Sequence, residues 1–285
     1  MNHPLNKQNK LVALGNYAKW QVGSRLVPGP VVVDFVDESK IFAYPGMTGV
    51  TGNIYNGLDE LEDMSFVLHC LKSSDLFLDI GANVGTYTVL AGAVRRAQCI
   101  AFEPIRQTFK HLLNNINLNQ IQNQVEAKNI GIGATSEYLN FVSNQDTVNR
   151  VVALQEADIK QVEEVKVEPL DKLDLVDKPT VVKIDVEGFE NEVIKGGKNF
   201  FSKNNLLAVI LEWNSKNKYG SYSDGHKQML LFGFRAYSYS PFERKLTALS
   251  APNRDSNNTI YLKDKQKVDA RIAVAKKFFV HKRFI

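Results

Sequence analysis

Residues 76–94 of the sequence, "LFLDIGANVGTYTVLAGAV", decide the fold. An apolar run leads to Asp79, glycines follow at positions 81 and 85, and an apolar helical pattern takes over. Glycine allows the chain to turn at positive φ and lets a ligand approach the backbone closely. The helix that follows directs its free N–H groups at such a ligand. The segment predicts a strand, a tight turn and a helix, either as a site for a nucleotide-like ligand or as a plain strand-to-helix turn.

Composition and charge narrow the class of protein. The 285 residues are 44% hydrophobic and 23% charged with a net charge of +4, which is typical of a soluble globular protein. That charge is too small and too dispersed to indicate a nucleic-acid partner. Cys70 and Cys99 form no CxxC pair or disulfide framework, and no apolar run reaches the length of a membrane span. We therefore expect a cytoplasmic protein.

Short apolar strands alternate with helices from residue 74 onward. This alternation predicts an α/β fold, a doubly wound and mostly parallel sheet with helices on both faces. Ligands of such sheets bind beyond the carboxyl ends of the strands. The predicted strands of this sheet are residues 76–80, 98–102, 125–130, 180–184, 206–211, 234–239 and 258–262.

The sequence divides into three predicted regions. Residues 1–73 are predicted to be an N-terminal extension with a hairpin, a glycine-rich loop at 46–57 and an amphipathic helix. The loop either closes over a ligand or is a surface connection. Residues 74–263 are the α/β domain, and 264–285 are predicted to be a basic helix. That helix either contacts an anionic membrane or a partner complex, or packs Ile272, Val274, Phe278 and Phe279 on the domain.

Glu103 and the glycine pattern together indicate the kind of ligand. Glu103 ends the second predicted strand about 20 residues after the glycines, where an acid binds ribose hydroxyls, although a helix start also favours an acid. The dinucleotide pattern GxGxxG and the phosphate-binding pattern GxxxxGK[ST] are both absent. An acid at the bend repels a pyrophosphate but suits an ammonium and a sulfonium. Charge therefore favours S-adenosylmethionine over NAD.

Further carboxylates follow two later strands: Asp185, Glu187 and Glu190 after the fourth, and Glu212 at the end of the fifth. They have three uses: to balance a sulfonium, to bind a polyhydroxylated acceptor, or to hold a divalent cation through oxygen ligands. Asp185 or Glu212 is also a candidate general base for an acceptor hydroxyl. For Glu187 and Glu190 the alternative is stabilisation of the first turn of a helix.

The segments "FLDIGANVGTYT", "AFEP", "VVKIDVEGFENEVIKGG" and "LLAVILEWN", in this order, resemble the FkbM-type family of S-adenosylmethionine-dependent methyltransferases. The resemblance covers residues 74–214. It implies the class I methyltransferase fold, a seven-stranded sheet in which only the last strand is antiparallel. It also implies O-methylation of a hydroxyl on a sugar, glycan or secondary metabolite. The implied cofactor-binding residues are Asp79, Gly81, Asn83, Gly85, Glu103 and Asp185, and the implied catalytic residues are Asp185, Glu187 and Glu212.

Two other functions remain open on the sequence. One is a non-catalytic module that binds the cofactor or a glycan and scaffolds a biosynthetic complex. The other is methylation of RNA, against which the modest net charge weighs. We expect a small-molecule or glycan acceptor and no nucleic-acid partner.

Overall fold

The computed structural model describes residues 3–5, 15, 20, 29–44, 48–142, 162–175, 179–213, 222–281 and 283–285. In the first half of the chain the strands are β1 (Val31–Asp34), β2 (Lys40–Ala43), β3 (Leu76–Ile80), β4 (Gln98–Phe102), β5 (Val125–Lys128), β6 (Gly131–Ile132) and β7 (Glu137–Val142). In the second half they are β8 (Val162–Glu168), β9 (Pro179–Ile184), β10 (Ala208–Glu212), β11 (Arg235–Ser240), β12 (Lys245–Leu249), β13 (Asn258–Leu262), β14 (Phe279–Val280) and β15 (Arg283–Phe284).

Helices cover both faces of the central sheet. They are α1 (Thr48–Asn56), α2 (Leu61–Cys70), α3 (Thr86–Val89), α4 (Arg106–Leu118), α5 (Glu190–Gly196), α6 (Lys198–Ser202), α7 (Tyr222–Leu231) and α8 (Lys265–Ala273). The helix predicted after the glycine turn is present as α3 followed by a π-helix, Leu90–Val94. No helix in the described part of the chain combines the length and the apolarity needed to cross a membrane.

The central sheet confirms the predicted fold class. Its strand order is β12-β11-β13-β10-β9-β3-β4-β5, in which β3, β4, β5, β9 and β10 run parallel and β13 runs antiparallel to both its neighbours. Seven of these strands are those predicted. The eighth, β12, pairs antiparallel with β11 at the edge, so the strand count of seven was wrong. Only Leu246 of β12 is buried, and a strand that exposes most of its side chains gives little apolar pattern.

Strand β3 occupies the middle of the sheet and is buried on both faces. Phe77 belongs to the apolar core on one side of the sheet, and Leu78 and Ile80 belong to the core on the other side. Successive side chains of a strand point to opposite faces, so an uninterrupted apolar run is what a doubly covered strand requires. This burial fixes the end of β3, and with it the glycine turn that follows.

The glycine-rich stretch 46–57 was predicted to be a loop, and this was wrong, because residues 48–56 form helix α1. Val50 is fully buried in the core, and this packing stabilises the helix despite its glycines. A Cβ atom at Gly52 would lie 2.1 Å from Oδ2 of Asp59. The glycine at 52 therefore allows α1 to lie directly against the segment that leads into α2.

The C-terminal region is helical only in part. Helix α8 begins after Asp264, whose side chain accepts a hydrogen bond from the N–H of Lys267, and ends at Ala273. The prediction of a helix over 264–285 was therefore wrong beyond that residue, where β14 and β15 form a hairpin that meets Val36 through Val280.

Packing of this region also differs from the expectation. Ile272 and Phe278 are buried as expected. Val274 and Phe279 are exposed, because the chain has left the helix and their side chains no longer face the domain. Contact of this segment with a membrane or a partner complex stays a prediction.

Candidate functional site

The turn after β3 brings two strand ends into contact. Gly81 has φ +80°, and a Cβ atom there would lie 1.8 Å from the backbone oxygen of Asp185. Asn83 also has positive φ, and Gly85 has φ +90° with its missing Cβ 2.5 Å from a methyl carbon of Leu112. Left-handed backbone and close contact both require glycine at positions 81 and 85. The pattern read from the sequence therefore has a structural cause in the contact between β3, β9 and α4.

Asp79 lies beneath this turn. Its carboxylate is 1% exposed and accepts a hydrogen bond of 2.6 Å from the hydroxyl of Thr88, which joins β3 to α3. Burial raises the pKa of Asp79 to about 6. The carboxylate therefore holds the helix against the strand, and direct binding of a ligand by Asp79 stays a prediction.

Glu103 directly follows β4, and both of its carboxylate oxygens are held by backbone donors. Oε2 accepts from the N–H of Asn83 at 3.0 Å, and Oε1 accepts from the N–H of Ile105 at 2.9 Å. Burial raises the pKa of Glu103 to about 7, although these two hydrogen bonds favour the charged form. The side chain of Asn129 donates to the backbone oxygens of Glu103 and Pro104 and so fixes the strand end.

A cavity of about 370 Å³ opens at the carboxyl ends of β3, β4 and β9. Gly81, Asn83 and Glu103 line it, together with the apolar side chains of Phe102 and Ile105. Its carboxylates come from Asp59, Glu60, Glu103, Asp185 and Glu187. No Lys, Arg or His is found among the described residues that line it. The cavity therefore suits a ligand that is apolar in part and carries positive charge.

Asp185 and Glu212 form a carboxyl pair at one edge of this cavity. Asp185 directly follows β9 and lines the cavity, whereas Glu212 ends β10 and is not among the described lining residues. Burial and the charge of Asp185 raise the pKa of Glu212, so that Glu212 keeps its proton and donates it in a hydrogen bond to Asp185. Burial by itself would raise the pKa of Asp185, but Lys183 and the Glu212 proton hold it below its ordinary value. The pair thus carries one proton and one negative charge.

Lys183 was missed in the sequence analysis. It is 1% exposed, and its ammonium lies 3.1 Å from Oδ2 of Asp185 and 3.0 Å from Oδ1 of Asn258. The ring of Tyr87 faces the same ammonium, 5.4 Å from the ring centroid. Burial opposes its charge, but the carboxylates around it more than compensate and raise the pKa of Lys183. A lysine inside the apolar run of β9 was the available signal, because a buried lysine is rare without partners.

Glu187 and Glu190 have different surroundings. Glu187 lines the cavity with φ +50°, and its carboxylate lies within 4.8 Å of those of Asp185 and Glu212. Glu190 is fully buried and accepts a hydrogen bond of 2.9 Å from the N–H of Gly188, just before α5. Glu190 therefore has the helix-stabilising role named as the alternative for it. Glu187 lines the cavity, and its contact with a ligand stays a prediction.

The strand order, with a glycine turn after the first strand of the parallel set and a cavity at the strand ends, defines the class I methyltransferase fold. Residues 79–241 match the model of the methyltransferase FkbM domain. The chain therefore belongs to the FkbM methyltransferase domain family. The matched range contains Glu103, Lys183, Asp185 and Glu212.

Individual relatives share only part of the chain. The hexuronic acid methyltransferase AglP of Haloferax volcanii is 27% identical over 150 residues, which are 53% of this chain and 61% of that protein. The chain thus spans less than two thirds of this relative. TYW2 of P. horikoshii in complex with MeSAdo matches with 13% identity and a TM-score of 0.41 over 92% of this chain and 86% of that one. The Pyrococcus abyssi tRNA (uracil-54, C5)-methyltransferase in complex with S-adenosyl-L-homocysteine matches with 10% identity and a TM-score of 0.44 over 82% and 44%.

Proposed function

We propose that this protein transfers a methyl group from S-adenosylmethionine to a hydroxyl oxygen of a sugar, a glycan or a similar polyhydroxylated metabolite. One observation carries the proposal. A single cavity lies between Glu103, which follows β4, and Asp185, which follows β9, on the other side of the central strand β3. The carboxylate proposed to bind the ribose and the carboxylate proposed to accept the proton thus line the same cavity.

The cavity fits the proposed methyl donor in size and charge. Its volume of about 370 Å³ is within the usual range of small-molecule sites. The two oxygens of Glu103, held in place by backbone N–H groups, have lone pairs left for the two hydroxyls of a ribose. The acidic lining favours a ligand with a positive centre. When bound, the donor supplies a methyl group that its positive sulfur already activates.

The residues of the chain then supply orientation and a place for the acceptor's proton. Asp185 is the proton acceptor in this proposal, because its charged carboxylate lines the cavity and its side chain is 32% exposed. Glu212 is a positioning residue, since its own proton is donated to Asp185. Lys183 stays protonated beneath both and keeps Asp185 charged. We propose Glu187, with its carboxylate nearby, as a hydrogen-bond acceptor for further hydroxyls of the substrate.

Binding of a divalent cation was one role considered for the carboxylates that follow β9 and β10. Three carboxylate oxygens within 4.8 Å of one another are close enough to share an ion. Lys183 already lies 3.1 Å from Asp185, and the proton on Glu212 removes a second charge. Two of the three carboxyls are thus compensated by protein atoms, so we propose methyl transfer that does not depend on an added cation.

A sugar acceptor is supported by the name of the relative AglP, a hexuronic acid methyltransferase. The test is transfer of an isotope-labelled methyl from S-adenosylmethionine to a panel of neutral sugars, hexuronic acids, other polyhydroxylated metabolites and RNA. We expect labelled product from a sugar or metabolite, with the label on oxygen by NMR. Label on RNA, or no binding of S-adenosylhomocysteine by folded protein, would contradict the proposal.

A further inference from the structure

Glu60 belongs to the N-terminal extension but lines the cavity. It lies between α1 and α2, at the position that precedes the first residue of α2, where side chains commonly cap a helix. The Glu60 side chain makes no such capping hydrogen bond. Its Oε2 accepts a hydrogen bond of 2.7 Å from the hydroxyl of Tyr87, and its Oε1 accepts one of 2.6 Å from the side-chain amide of Asn258. The carboxylate is thus held at the cavity and not at the helix.

These contacts place Glu60 at the same end of the cavity as Asp185. Asn258 donates a hydrogen bond to Glu60 and accepts one of 3.0 Å from the ammonium of Lys183. The same ammonium donates to Asp185. Asn258 begins β13, on the same side of β3 as β9. Glu103 follows β4 on the opposite side. Glu103 and Glu60 therefore line opposite ends of the cavity, so a ligand bound at its ribose by Glu103 could reach Glu60 with one end.

Glu60 forms no ion pair with a described cation, in contrast to Asp185. Asp185 is paired with Lys183. The hydroxyl and the amide that bind Glu60 are neutral, and no ion pair of Glu60 is found among the described residues. Each carboxylate oxygen retains a lone pair for one more donor. A charged carboxylate held rigidly at a cavity is matched by an ammonium group, which forms strong charge-assisted hydrogen bonds.

We propose that Glu60 binds the α-ammonium of the methionine part of the methyl donor, so that the N-terminal extension completes the cofactor site. This inference rests on the proposed function. It assigns to the extension a binding residue that lies outside the range 79–241 matched by the family model.

The test compares two ligands that differ in the amino acid part attached to sulfur. S-adenosylhomocysteine carries this part, with its α-ammonium, and 5′-methylthioadenosine has only a methyl group there. Calorimetric titration of both would be made with the wild type, Glu60→Gln and the control Glu62→Gln. Glu62 is an exposed acid two residues away that does not line the described cavity. The variants keep side-chain length, and the Tyr87 hydroxyl can reverse to accept from the new amide.

We expect Glu60→Gln to lower the affinity for S-adenosylhomocysteine about tenfold, which is the effect of losing one charge-assisted hydrogen bond. The affinity for 5′-methylthioadenosine should change less than about twofold. Glu62→Gln should change neither affinity. Equal weakening of both ligands, or an unchanged affinity for S-adenosylhomocysteine, overturns the assignment of Glu60. If the wild type binds neither ligand, the proposed function itself fails, and this outcome is distinct from the other two.

A second measurement uses the wild type and does not depend on the fold of a variant. An analogue of S-adenosylhomocysteine with a hydroxyl in place of the α-ammonium should bind about tenfold more weakly than S-adenosylhomocysteine. Equal binding of the two ligands overturns the proposal. With Glu60→Gln, the difference between the two ligands should largely disappear.

Discussion

The backbone oxygen of Asp185 lies 1.8 Å from the point that a Cβ atom would occupy at Gly81. The same two strand ends are joined by a hydrogen bond of 2.9 Å from the N–H of Asp185 to the backbone oxygen of Ile80. The turn that lines the cavity is therefore in direct contact with the residue proposed to accept the proton. A change on one side of this contact displaces the other.

Gly81→Ala should abolish binding of S-adenosylhomocysteine and destabilise the fold by more than about 2 kcal/mol. The matched control is Gly233→Ala, where φ is also positive, at +89°, but no atom lies within 4 Å of the added Cβ. That control should cost about 1 kcal/mol and keep full binding, because only the backbone conformation is strained. Denaturant unfolding and calorimetry measure the two effects. Equal behaviour of the two variants would show that the contact with Asp185 has no influence.

Asp185→Asn should lower the rate of methyl transfer on the order of 100-fold or more while substrate still binds, because the proton acceptor is lost. Glu212→Gln keeps a donor toward Asp185 and should lower the rate less, on the order of tenfold. Single-turnover rates with a confirmed acceptor measure both. Full activity of Asp185→Asn would remove the role proposed for this carboxylate.

Affinity for S-adenosylhomocysteine should depend on pH through Glu103. Burial raises the pKa of this group to about 7, so the carboxylate gains a proton as the pH falls through 7 and loses its ability to accept from both ribose hydroxyls. Binding should therefore weaken below pH 7, approaching about tenfold per pH unit. Glu103→Gln should bind weakly with little of this dependence, and the control Glu126→Gln, which changes an exposed acid of β5, should show the same pH dependence as the wild type. A flat wild-type profile between about pH 5.5 and pH 8.5 would count against the assignment.

The C-terminal helix should contribute to stability through one ion pair. Arg271 of α8 donates to both carboxylate oxygens of Asp75, at 2.5 and 3.2 Å, with exposed fractions of 18% and 6%. Arg271→Met leaves Asp75 buried without its cation and should cost about 3 kcal/mol. Lys265→Met, which breaks the exposed pair with Asp269 on the same helix, should cost less than about 0.5 kcal/mol. Urea unfolding of both variants tests this, and similar midpoints would be inconsistent with it.

Chelation should leave the activity intact. Lys183 offsets the charge of Asp185 and Glu212 keeps its proton, so two of the three clustered carboxyls are compensated without a divalent ion. We expect the same initial rate before and after dialysis against EDTA, and no increase on addition of Mg²⁺ or Mn²⁺. A rate that falls with EDTA and recovers with one of these ions would instead assign the carboxylates to a metal.

Much of the site was predictable because it follows from local pattern. A glycine turn after a buried strand, and an acid at the end of the next strand, place Gly81 and Glu103 at one edge of a parallel sheet. Asp185 follows from the same rule. The predictions of a loop at 46–57 and of a helix over all of 264–285 were wrong. Tertiary packing outweighed the local signal of the glycines in α1 and of the basic residues after Ala273.

The sequence by itself determined seven strands of the central sheet and the strand ends where side chains meet the cavity. Only the tertiary structure decided which of these side chains act together. Asn258 and Glu60 are 198 residues apart, and Asn258 and Lys183 are 75 apart, so no local periodicity relates them. Asp79, in turn, faces Thr88 beneath the turn. The physical reason is that the pairing of buried charges depends on desolvation and distance in three dimensions, which sequence spacing does not encode.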